Sequence, residues 1–239
     1  MSNEQLKKGV VIGVVVVVLV AFVMIVPRSV HYFQIKEAEE KLITDYSSLI
    51  ANLNVPFTTQ APYGNWDMPY QEACEEASVL MAIRYSFDNE ILDAEDANAG
   101  ILDLIKANEE ILGYPVDQTV SQVLDLILEI DPKIPARIIE NPNVDDLKLE
   151  LDNGNVIIVP AAGRELKNPF FNRPGPVYHM LVLRGYSDDK FITNDPGTRR
   201  GEGYLYEFDR IMNAMQDWDT DHEKRVVVVG QMATSEINN

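Results

Sequence analysis

The sequence predicts an α+β domain, with a helical half first and an antiparallel sheet after it, preceded by a single transmembrane helix. Three observations carry this. An uncharged apolar run, GVVIGVVVVVLVAFVMIV, fills Gly9 to Val26. Between Glu72 and Ile130 apolar residues recur at three- and four-residue steps. From Val156 onward, short β-rich runs are bounded by Gly, Pro, Asn and Asp. Helices followed by strands, rather than the two alternating, is the order of an α+β architecture.

Residues 1–8 form a short tail and residues 9–27 the predicted anchor. At about 1.5 Å per residue the apolar run spans about 27 Å, close to the hydrocarbon thickness of a bilayer. A core helix would show a polar stripe, and this run has none. The exit, VMIVPRSV, offers no small-x-small cleavage site, which favours an uncleaved anchor over a signal peptide. Gly9 and Gly13 have the spacing of a helix-packing motif, a weak signal in so uniform a run. Lys7 and Lys8 favour an inside N-terminus, against Arg28, Lys36 and Lys41 on the other side. An eight-residue tail is too short to hold a function, so the C-terminal part is expected to hold it, outside the cytoplasm. The bilayer is thus one expected partner.

Residues 28–54 are predicted as a helical stalk, charged throughout with apolar residues at helical spacing. The domain is placed at 55–232, with 233–239 a disordered tail. Helices are expected at Glu72–Phe87, Ala94–Leu112 and Thr119–Ile130, with Asp117 as a possible cap for the last. Shorter ones are expected at Asn143–Leu151 and Asp209–Trp218. Strands are expected at Val156–Ala162, Tyr178–Tyr186, Lys190–Asp195, Gly203–Phe208 and Arg225–Gly230.

The formal charge of the 239-residue chain is −18. The first 27 residues carry +1, leaving −19 for the rest. Phosphate binding needs positive surface, so no nucleic-acid partner is expected. Cys74 is the only cysteine, which excludes an internal disulfide. One Cys with scattered His, and no ligand pair at metal spacing, gives no support for zinc. No metal or cofactor is expected.

Two readings of Cys74 compete. In the first it fills a helix–sheet interface as an alanine would. Alternatively, it is a nucleophile near a helix start, where orphan N–H groups and the helix dipole favour a thiolate. Pro69 suits a first helical turn, and Asp67 is a plausible cap. Glu75 and Glu76 oppose thiolate formation unless they face water. Of the histidines, His31 lies beside the apolar run and His222 in a charged turn, DTDHEK. His179 sits in an apolar strand, where a hydrogen-bonded core role competes with that of a base. Asp195 is on the next strand. A turn centred on Ser187 sets His179 opposite Asp195, whereas a two-residue turn on Asp188-Asp189 points them to different faces. The pairing therefore requires the first register or a bulge, with Asn194 in reserve as the orienting group.

Trp66 and Tyr70 are packing residues or the lining of a substrate groove. Arg164–Pro176 is a long connection, or a flap whose Phe170 and Phe171 touch substrate. Arg199 and Arg200 neutralise an acidic surface or bind a carboxylate.

The segments VPFTTQAPYGNW, PYQEACEEAS and YHMLVLRGYSDDKFITNDPG resemble the papain-like cysteine peptidases of the bacteriocin-processing type, peptidase family C-39-like. The similarity runs from about Val55 to the C-terminus. It implies a papain-like α+β fold, a peptide or protein substrate, and a triad of Cys74 as nucleophile, His179 as base and Asp195 as orienting group. Gln60 is implied as the oxyanion donor, with Gln71 its rival. Glu75 departs from the pattern, since many relatives carry Gly there. The Gln60-to-Cys74 interval, which includes Trp66, is also longer than in the tightest relatives. The same architecture serves transglutaminase-like enzymes, cell-wall amidases and non-catalytic peptide-binding modules, so the triad alone does not choose among them.

Overall fold

The structure, a computed structural model, describes residues 32–36, 49–113, 117–218 and 223–233. It divides into two compact units, Met1–Thr44 and Asp45–Asn239. In the first, the described residues 32–36 form a helical turn with Tyr32 and Phe33 exposed. The predicted anchor at 9–27 lies outside the described residues. Among those described, no helix is long and apolar enough to cross a membrane.

The second unit is built on a seven-stranded sheet: β1 (Leu49–Asn52), β2 (Ala136–Glu140), β3 (Val156–Ala162), β4 (Tyr178–Ser187), β5 (Lys190–Asn194), β6 (Tyr204–Glu207) and β7 (Arg225–Val229). The order is β2-β7-β3-β4-β5-β6, with β1 also pairing β4 and every pairing antiparallel. The helices are α1 (Cys74–Ser86), α2 (Ala94–Lys106), α3 (Val120–Ile130), α4 (Val144–Asp152), α5 (Gly163–Leu166) and α6 (Phe208–Ala214). A π-type turn, Ala107–Leu112, extends α2 and ends at left-handed Gly113.

Side-chain caps fix the helix starts. Asp93 accepts from the Glu95 and Asp96 N–H groups. Thr119 and Gln122 form a capping box on α3, as Asn143 and Asp146 do on α4. Thr119, not the expected Asp117, is thus the cap of α3, because its hydroxyl reaches the Gln122 N–H.

The main core lies between α1–α3 and one sheet face. Ala77, Leu80, Met81, Leu104, Val123 and Ile127 pack there with Val156, Ile158, Met180, Val182 and Val227. Burying each large apolar side chain contributes about 1.5–3 kcal/mol. All ten residues of β4 are buried. The strand contacts α1 and α4 as well as its neighbouring strands.

Several boundaries differ from expectation. Leu49–Asn52 are a strand rather than the end of the stalk, because β4 beyond its β3 pairing leaves backbone groups for β1. The short run at Ala136–Glu140 is a further strand, paired along its whole length with β7. Helix α1 begins at Cys74, two residues later than expected, after a 3-10 turn at Tyr70–Glu72. Its N-cap is Ala73, with no side-chain cap. The expected cap, Asp67, instead offers its carbonyl to the Gln71 N–H.

Candidate active site

Helix α1 is buried on nearly every side, with Arg84 the exception. Cys74 is its first residue and 6% exposed. The helix abuts β4, where the Met180 backbone lowers the Cys74 pKa by less than the causes that raise it. Met180 is the residue that follows His179 on β4. Burial pushes the Cys74 thiol well above its ordinary value, and the charge and hydrogen bond of Glu75, then Glu76, push the same way.

The β4–β5 hairpin decides where His179 points. Near the tip, Tyr186 faces Phe191 and Gly185 faces Ile192. This is the register that alone would send His179 and Asp195 to opposite faces. A bulge at Arg184 then shifts the pairing, so that Leu183 faces Thr193 and Val182 faces Asn194. The extra residue restores parity. His179 Nε2 and Asp195 Oδ1 meet at 2.8 Å, with exposures of 1% and 0%.

Asp195 is enclosed by donors. Gly197 N–H reaches Oδ1 at 3.0 Å, while Tyr206 Oη at 2.6 Å and Asn168 Nδ2 at 3.1 Å reach Oδ2. Burial works against its charge, but the neighbouring His179 and the hydrogen bonds from His179, Tyr206 and Gly197 outweigh it. The carboxyl is held below its usual value. A carboxylate only accepts, so His179 donates from Nε2, which leaves Nδ1 outside the pair. The ring is wedged. Phe171 packs on it edge-on at 5.3 Å. A Cβ on Gly197 would stand 2.9 Å from its Cε1. Asn194 serves elsewhere, donating to the Val55 and Pro56 carbonyls.

Gln60 is buried and donates from Nε2 to the Tyr70 and Gln71 carbonyls, both at 2.9 Å. It thereby braces the turn before Cys74. Gln71 is exposed and bonds Glu72. Trp66 and Tyr70 are half-buried, with the Tyr70 hydroxyl on Asn98 of α2. Phe170 is half-buried against Tyr204, with Arg200 over its ring. Phe171 is buried beside His179. His31 and His222 lie outside the described residues.

Glu75 and Glu76 do not face water. Glu75 is 1% exposed, with Oε2 at 3.0 Å from the Cys74 sulfur and Oε1 at 3.4 Å from the Gln118 N–H. Glu76 accepts from Asn108 Nδ2 at 2.6 Å and Gln118 Nε2 at 2.8 Å. The expectation fails because α1 is covered by α2, α3 and the sheet. Glu75 and Glu76 stand out in the sequence beside Cys74, but their burial and their partners Asn108 and Gln118 do not, nor do Asn168 and Tyr206.

Residues 52–225 match the Peptidase_C39 like family, and the chain belongs to that family. Its helices-then-antiparallel-sheet architecture is the papain-like fold of that family. A crystal structure from Bacillus anthracis, described as a C39-like peptidase, superposes with a TM-score of 0.53 at 13% identity, covering 78% of this chain and 98% of that one. The peptidase domain of Streptococcus ComA, a bi-functional ABC transporter of a quorum-sensing pathway, is a more distant likeness: TM-score 0.45, 12% identity, 68% and 93% coverage. No curated protein matches the sequence.

Proposed function

We propose that this chain is a membrane-anchored cysteine peptidase that hydrolyses peptide bonds through Cys74, His179 and Asp195. The observation that carries the reading is the buried His179–Asp195 pair, whose histidine lies on the strand against which α1, with Cys74 as its first residue, packs. The family supports a peptide substrate. The apolar run at Gly9–Val26 supports the anchor, with the catalytic domain outside the cytoplasm.

In this mechanism the Cys74 proton passes to His179 Nδ1, and the thiolate attacks the amide carbonyl. His179 returns that proton to the leaving amine as the C–N bond breaks. It then takes a proton from water, whose oxygen attacks the thioester and releases the acid and the Cys74 thiolate. Asp195 stays ionised throughout and steadies the imidazolium. The Cys74 N–H, free at the helix start, is one donor to the oxyanion. Gln60 is the second, and it donates by exchanging one of its two carbonyl partners.

The test is a peptide library incubated with the full chain in detergent and read by mass spectrometry. Cleavage that Cys74→Ala abolishes is the expected result. Cleavage that survives Cys74→Ala, or no cleavage of any peptide, contradicts the reading.

A further inference from the structure

The Glu75–Glu76 pair is left unexplained by the triad. Two adjacent carboxyls buried together do not both ionise readily. Burial raises the Glu76 pKa as well, but Glu76 has more support for a charge: two side-chain amides donate to its Oε1. It also lines a cavity of about 30 Å³, large enough for one water molecule. Glu75 lacks this support. Its oxygens meet the Gln118 N–H at 3.4 Å and the Cys74 sulfur at 3.0 Å, and its own N–H is the one further donor that lowers its pKa. A thiol is a weak donor, so an ionised Glu75 would be a buried charge with little to hold it.

Among the described residues, the groups around Glu75 supply no counter-charge. Glu76 adjoins it on α1 and raises its pKa after burial does, while Glu109 acts on Glu76 from the π-type turn. Tyr178 of β4 faces it, and its hydroxyl is raised by burial, then by Glu75, Asp217, Cys74 and Asp117. Arg225 is committed to Asp217 and Glu140. Burial drives the Glu75 carboxyl well above its usual value.

We propose that Glu75 is a catalytic residue: as a neutral carboxylic acid it donates a hydrogen bond to the Cys74 sulfur and stabilises the thiolate, both before attack and when the thioester breaks. This rests on Cys74 being the nucleophile. Glu75 keeps its own proton through the cycle, since the proton leaving Cys74 goes to His179. The contact that opposes thiolate formation when Glu75 is ionised favours it when Glu75 is neutral. The carboxylates flanking the sulfur are thereby reconciled with its activation.

The experiment is the iodoacetamide alkylation rate of the full chain against pH, for wild type, Glu75→Gln and Glu75→Ala. Glu75→Gln keeps an N–H donor and stays close to wild type. Glu75→Ala loses the donor, moving the inflection up by about one unit and slowing alkylation at pH 7 about tenfold. A wild type reactive at neutral pH, with Glu75→Ala equal or faster, overturns this proposal and leaves the nucleophile intact. A wild-type profile of an ordinary thiol overturns both. Infrared difference spectra of wild type minus Glu75→Gln at pH 7 give an independent reading. They are expected to show the carbonyl stretch of a protonated carboxyl. Its absence overturns the proposal even if Glu75→Ala does not fold.

Discussion

His179 and Asp195 meet at 2.8 Å because the bulge at Arg184 turns two residues on neighbouring strands to one face. Asp195 then holds the imidazole by Nε2, leaving Nδ1 outside the pair. Asp195→Asn removes the charge and permits the wrong tautomer. In a Ser-His-Asp triad the same change costs about ten-thousandfold in kcat. A loss of about a hundredfold or more is expected here, measured on any peptide the wild type cleaves.

The same carboxyl makes stability depend on pH. Its folded pKa is lowered. Its contribution is therefore complete above the unfolded value of about 3.9 and is lost as pH falls through the folded value. Urea melts between pH 7 and pH 2 are expected to show wild type losing stability in that acid window. Asp195→Asn has no such group to protonate there and is expected to show a shallower loss.

Gly197→Ala tests the wedge around His179. The added methyl falls 2.9 Å from His179 Cε1 and 2.8 Å from Phe171 Cε1. The ring must shift, at a cost of about 1–3 kcal/mol in stability. A fall in kcat of about tenfold or more is expected while the chain remains folded by circular dichroism.

Tyr206→Phe removes the 2.6 Å bond to Asp195 Oδ2. Hydrogen bonds to charged groups contribute about 1.5–3 kcal/mol, and a loss of that size is expected in urea melts. The acid-window loss is expected to move toward higher pH, since one group lowering the Asp195 pKa is gone.

Gln60 and Gln71 are separated by their surroundings. Gln60→Ala leaves two carbonyls of the turn before Cys74 without their donor, and kcat and stability are both expected to fall. Gln71→Ala removes an exposed bond to Glu72 and is expected to change stability by less than about 0.5 kcal/mol.

Much of this was legible in the sequence. The periodicity of residues 94–130 and the β-rich runs after Val156 set the order of elements. The Cys, His and Asp that carry the resemblance were identifiable by residue and position. The bulge was not. Strand parity follows from counting, and nothing at Arg184 marks an extra residue. Burial of Glu75 and Glu76 was hidden too, because two consecutive glutamates at a helix start ordinarily face water. Strand β1 was hidden for a different reason: its partner is β4, more than a hundred residues away. Asn168 sits in a connection that local pattern cannot place beside Asp195.

The most direct test of the central claim is the alkylation rate of Cys74 near neutral pH in wild type and in His179→Ala. Rapid alkylation is expected in wild type, and His179→Ala is expected to abolish it. A wild-type rate equal to that of a free thiol, or one unchanged by His179→Ala, would contradict it.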